Sequence, residues 1–279
     1  MISGLILNAI LAGVMAGSLC GCTGVLCTRM KINTIAFATA HAALAGSALS
    51  LVVGGDPIFL GLMFALLTAV ILGPISDYLR IPLDMASMTM FSVYNALTFI
   101  FLVISPGATL ASEKVGQILW GSILAVTPKY LIILTTLTII YVLFVTTFWG
   151  RISSILFNPK LAEAEGVNVK IYMYTLVALA GAVTVFALRI TGGFLVFSLL
   201  FIPAASAIQL SENIRKIVFT ASFLGLASAI VGVGLSFILN FPVGSCIVIG
   251  ATTILAGAAT ISTIKRKQLL ETVKVTSQI

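Results

Sequence analysis

The chain has 279 residues, of which 60% are hydrophobic and only 8% charged, and its mean hydropathy is +1.20. A soluble domain carries about 25% charged residues, so this composition excludes an ordinary water-facing surface and fits a surface that faces lipid. The net charge of +7 does not point to nucleic acid, because the basic residues are scattered between apolar runs, where they act as orientation signals.

Long continuous apolar runs, without alternating ten-residue segments, predict an all-α polytopic bundle and not a barrel. About nine spans are expected, at roughly 4–28, 34–53, 57–75, 84–105, 129–148, 171–190, 193–209, 216–240 and 244–263. They form one membrane domain over residues 1–279. The N-terminal stretch has no basic n-region and reads as a first span, not a cleaved signal peptide. Basic residues then set orientation. With Arg29 and Lys31 inside, alternation puts Arg80, Arg151, Lys160, Lys170, Arg215, Lys216, Lys265, Arg266, Lys267 and Lys274 inside as well. Only Lys114, Lys129 and Arg189 fall outside. The expectation is N-terminus out, C-terminus in, in the cytoplasmic membrane. A broken or short helix is allowed where two spans join tightly at Arg189–Gly193.

Small residues recur at packing intervals. Gly13, Gly17 and Gly21 are spaced by four in the first span, and Ala221, Gly225 and Ala229 repeat that spacing in the eighth. Both patterns predict close helix approach. In the outer connection, the stretch Ile118–Val126 with Trp120 is too short to cross and is expected to lie at the interface or re-enter. In the inner connection, Asn158 reads as an N-cap, Pro159 as the first helical residue and Gly166 as a C-cap, so a two-turn surface helix is expected at 158–167.

Chemistry-bearing residues are few. There is no G-x-x-x-x-G-K-[ST] motif, and the single histidine leaves no room for a convincing triad, so an enzyme is not expected. His41 lies inside the second span. An intramembrane ionisable group suggests a pathway, and imidazole is a common metal ligand; the alternative is a hydrogen bond to a neighbouring helix. Cys20, Cys22, Cys27 and Cys246 read as small apolar fillers, since positions two apart on a helix do not face each other. Asp77, Arg80 and Asp84 are expected to cap and anchor helix ends.

Three segments carry a family resemblance. His41-Ala42-Ala43-Leu44-Ala45-Gly46-Ser47-Ala48-Leu49 is similar to a second-span S-H-x-x-L-x-G-x-A-L pattern, with Ala40 in place of the serine. Asn158-Pro159-Lys160-Leu161-Ala162-Glu163-Ala164-Glu165-Gly166 resembles the coupling-helix pattern D-P-x-x-A-x-x-x-G, with Asn158 in place of the aspartate. The segment Ala187-Leu188-Arg189-Ile190-Thr191-Gly192-Gly193-Phe194-Leu195-Val196-Phe197-Ser198-Leu199-Leu200-Phe201-Ile202-Pro203-Ala204-Ala205-Ser206-Ala207 is similar to V-G-x-L-L-V-x-x-L-L-x-x-P-A-A-x-A. Together they resemble the integral-membrane permease subunits of zinc, manganese and iron ABC importers.

The resemblance implies a pore of two permeases, as a homodimer or pseudo-dimer. It implies a separate ABC ATPase that holds ATP and Mg, no cofactor in this chain, and an extracellular or periplasmic solute-binding protein. Lipid is the remaining partner. It implies that Asn158, Pro159, Leu161, Ala162, Glu163 and Gly166 couple to the ATPase, and that Gly192, Gly193, Pro203 and Ala204 are signature and packing positions. It also places His41 on the substrate path, but Phe37 stands where the family has an aspartate one turn before the histidine. A dehydrated divalent cation is costly without anionic ligands. The expected cargo is a divalent transition-metal ion. The alternatives are a non-metal small solute carried by the same machinery, or a secondary transporter or channel.

Overall fold

A computed structural model describes residues 2–106, 119, 121, 126–192 and 196–276. Hydrocarbon offers no hydrogen-bond partners, so each crossing must satisfy its backbone internally, and the described residues form eleven helices. These are α1 (Ile2–Arg29), α2 (Asn33–Val53), α3 (Pro57–Leu79), α4 (Leu83–Ile104), α5 (Pro128–Thr147), α6 (Trp149–Phe157), α7 (Pro159–Ala164), α8 (Val169–Thr191), α9 (Val196–Leu210), α10 (Ile214–Leu239) and α11 (Val243–Thr276). Eight are long and apolar enough to cross a membrane, and their bounds match the spans read from the sequence to within a few residues.

Of the expected span at 193–209, residues 193–195 lie outside the described residues, and the described part forms α9, of 15 residues. Gly192 ends α8 at φ 80 and ψ 162, a conformation that favours glycine. A departure from the sequence reading is α6, an amphipathic helix inside a connection left as loop before residue 158. Lys114, Trp120 and Gly193 lie outside the described residues. Of the outer connection, Leu119 packs with Ala48 and Leu102, and Gly121 lies against the carbonyl of Ile190.

Helices α1, α2 and α8 are the most buried crossings. The contact faces of α1 and α2 are rich in alanine and glycine, which lets backbones approach. A Cβ on Gly17 would strike the carbonyl of Gly225, and one on Gly225 would strike that of Gly17; Gly21 meets Ala221 in the same way. These pairings run α1 antiparallel to α10, and the close approach that the spacing-four small residues predicted is made between these two helices. Gly24 seats α1 against Leu200 and Ala204 of α9, and Gly46 seats α2 against Leu60 of α3.

Buried hydroxyls clamp the spans across helix pairs. Thr23 Oγ1 donates to the Tyr141 hydroxyl at 2.9 Å, and Thr68 Oγ1 to the Tyr94 hydroxyl at 2.7 Å. The Tyr130 hydroxyl donates to the carbonyl of Phe186 at 2.5 Å. Asp56 caps α3, accepting from the amides of Ile58 and Phe59. Asp84 accepts from Thr34 Oγ1 and ties the start of α4 to that of α2. Arg80 ends α3 in the left-handed conformation, while the Asp77 contribution there is its backbone carbonyl.

Overpacking a close helix crossing costs about 1–3 kcal/mol. Gly17→Leu or Gly225→Leu should therefore lower the melting temperature of the purified chain by several degrees. Gly13→Ala should leave it unchanged, because a Cβ there meets only Ala229 at 3.6 Å and Val233 at 3.7 Å. Fluorescence melting curves check this; equal melting of Gly17→Leu and the parent chain contradicts it.

Candidate functional site

His41 is the chain's only histidine, and it is 7% exposed, eight residues into α2. Its Nδ1 lies 3.2 Å from the carbonyl oxygen of Phe37, one turn earlier on the same helix. A carbonyl only accepts, so Nδ1 carries the proton and Nε2 presents its lone pair. Among the described residues no neighbouring helix is seen to hydrogen-bond this ring. Metal-binding imidazoles also have their second nitrogen oriented by a backbone carbonyl or carboxylate.

Three phenyl rings surround the imidazole. Phe197 of α9 stacks on it at 4.9 Å with an interplanar angle of 9°. Phe91 of α4 meets it edge-on at 4.3 Å and 84°, and Phe37 is tilted at 4.9 Å. Phe37 also touches Phe91 at 4.8 Å and Phe197 at 4.1 Å. The four rings thus close a cluster between α2, α4 and α9. Each such pair adds roughly 0.5–1.5 kcal/mol beyond area burial, so the cluster holds three helices at one level.

The sequence reading missed Phe91 and Phe197. Phe197 sits inside the matched signature segment, which could have drawn attention to it. Phe91 carries no local signal. No three of His, Cys, Asp and Glu come together among the described residues, and the four cysteines are buried, unpaired thiols, with Cys20, Cys22 and Cys27 in the main apolar core.

The second group of residues lies between α5 and α8. Asn158 caps α7, its Oδ1 accepting from the amides of Lys160 at 3.0 Å and Leu161 at 3.3 Å. Pro159 occupies the first turn, where a missing N–H costs nothing. Gly166 turns the chain out at φ 84, and the amide of Val167 returns to the Ala162 carbonyl at 2.9 Å. Ala162 is buried and fixes the helix to the core. Phe157 is 85% exposed and Leu161 49%, and Lys160, Glu163 and Glu165 face outward beside them. Arg151 holds α6 to α8 by donating from Nη1 to the Tyr172 hydroxyl at 2.8 Å. Of the signature positions, Gly192 caps α8, and Pro203 and Ala204 are buried in α9, with Ala204 beside Gly24.

An N-cap side chain contributes about 1 kcal/mol. Asn158→Ala should therefore speed amide exchange at Lys160 and Leu161 several-fold, with exchange in α8 unaltered. Unchanged exchange at those two amides contradicts the cap.

The comparisons with known proteins agree with this architecture. The chain is 32% identical over 247 residues to the manganese transport system membrane protein MntC of Listeria monocytogenes, covering 88% of this chain and 87% of that one. It is 30% identical over 242 residues to the manganese import system permease protein ScaB of Streptococcus parasanguinis, covering 87% and 85%. Among solved structures, PsaBC from Streptococcus pneumoniae in complex with Fab superposes with a TM-score of 0.80 at 27% identity, over 92% of this chain and 95% of that one. The model of the ABC 3 transport family matches residues 3–262, and the chain belongs to that family.

Proposed function

We propose that the chain is the permease subunit of an ABC importer for a divalent transition-metal ion, with manganese the first candidate. The observation that carries the reading is His41: a single oriented imidazole, buried at a point where three helices converge, in a chain whose relatives are named manganese permeases. His41 Nε2 supplies one nitrogen ligand. With Phe37 in the carboxylate position, the remaining ligands are water and backbone carbonyls, so the ion keeps much of its hydration as it passes. The ring cluster must part for it. Phe91 and Phe197 belong to different helices from His41, so a relative movement of α4 or α9 opens the path.

Family membership and the α6–α7 arm support a two-part machine. The arm presents Phe157, Leu161 and Glu163 on the side away from the bundle. We place that face in the cytoplasm by the excess of basic residues at this end of the spans. It fits the groove of a separate ATPase, which binds ATP and Mg, and a solute-binding protein serves the opposite face. The buried Ala162 and the Asn158 cap make α7 a short rigid lever attached to α5 and α8. A second reading, a permease for a small organic cation, is favoured by one observation: the π faces around His41 attract cations without any carboxylate.

Uptake of radioactive manganese by proteoliposomes containing the chain with its ATPase and binding protein tests the cargo. ATP-dependent accumulation of manganese, zinc or iron is expected. Accumulation of none of them, with ATPase stimulated by a small organic cation, moves the assignment to the second reading. His41→Ala should lower metal uptake about 10–100-fold in a bundle that still folds. Phe37→Asp adds an anionic ligand one turn from His41 and should tighten metal binding about tenfold; weaker binding in this variant argues against an ion at this level. Leu161→Asp should abolish transport-coupled ATPase activity while the bundle melts normally, and full activity would remove the α7 face from the contact.

A further inference from the structure

Away from His41, a groove of about 490 Å³ opens between α1, α5 and α10. Ser18 and Cys22 line it from α1, Val142 and Val145 from α5, Val218 and Phe219 from α10. Its hydroxyls are already satisfied. Ser18 donates to the Met15 carbonyl at 2.9 Å, Thr138 to that of Leu134 at 2.8 Å, and Ser222 to that of Val218 at 3.0 Å. What remains is a wall for hydrocarbon and not for a polar solute. From Thr146 up to Thr138 the groove climbs about 12 Å, close to the ~15 Å of one leaflet.

The groove ends at a basic mouth. The Arg215 guanidinium lies 5.8 Å over the Trp149 ring, a residue pair suited to the membrane interface. A second cavity of about 460 Å³ continues from there, bounded by Arg215, Lys216, Ser211 and Phe219. Arg215 and Phe219 belong to both cavities. Two cations thus stand at the mouth against one nearby carboxylate, the exposed Glu212. The adjoining helix amides are taken by Asn213, whose Oδ1 accepts from Arg215 and Lys216, so the anion attraction comes from the two side chains.

We infer that this groove is a binding site for an anionic phospholipid, with an acyl chain between α1, α5 and α10 and the phosphate headgroup at Arg215 and Lys216. A second copy of this chain is a poorer occupant, because a two-fold contact here would bring each copy's Arg215 and Lys216 toward its partner's.

Native mass spectrometry of the purified full chain, delipidated and titrated with dioleoyl phosphatidylglycerol or dioleoyl phosphatidylcholine, tests the site. Phosphatidylglycerol should be retained about tenfold better, as expected for two cations near an anionic headgroup. The R215Q/K216Q double variant should bring its retention down to that of phosphatidylcholine. Val142→Trp, at a half-exposed position of the groove wall, should weaken retention of both lipids. Equal retention of the two lipids by the parent chain overturns the proposal, as does a phosphatidylglycerol preference that survives R215Q/K216Q. Val142→Trp that leaves lipid retention unchanged but shifts the monomer–dimer balance also overturns it, in favour of a second copy.

Discussion

Backbone contact between α1 and α10 is the constraint on which the bundle rests. In lipid, helices gain nothing from burying apolar surface against one another, because the lipid tails are equally apolar. Close packing and internal hydrogen bonds must hold them instead. Gly17 faces Gly225 and Gly21 faces Ala221 with no room for a Cβ. A few residues further along α1, Gly24 brings α9 in as closely, and Thr23 reaches the Tyr141 hydroxyl on α5. One helix therefore fixes the positions of three others. The levels of α9 and α2 follow, and with them the meeting of Phe197 and His41.

Helix α9 links this packing to the candidate pathway. Gly24 of α1 seats α9, and Phe197 of α9 stacks on His41 of α2. The three phenyl rings and the imidazole fill that level and leave Nε2 among π faces. A neutral, apolar closure of this kind excludes bare ions through the cost of dehydration, and it can open only by relative motion of helices. The α6–α7 arm is rooted between α5 and α8.

Much of this was legible in the sequence, for definite physical reasons. Apolar length gives the crossings, the spacing of small residues gives close helix approach, and Asn158, Pro159 and Gly166 mark both ends of α7. His41 stands out because an ionisable group inside a span is rare. That α1 and α10 are partners was not legible, since spacing within one helix does not name the helix it meets. Helix α6 was hidden because its nine residues mix polar and apolar character and lack a cap at Phe148. Phe91 could not have been found at all: its role depends on the rotation of α4 relative to α2, which no local pattern records.

The central claim is that His41 ligates the cargo. Electron spin-echo spectroscopy of Mn(II) bound to the complex tests it most directly. The chain has one histidine, so labelling the permease alone with ¹⁵N-histidine makes the assignment unique. A nitrogen coupling that changes with the label and vanishes in His41→Ala is predicted. A manganese signal with only oxygen and water couplings, the same in both chains, would contradict it.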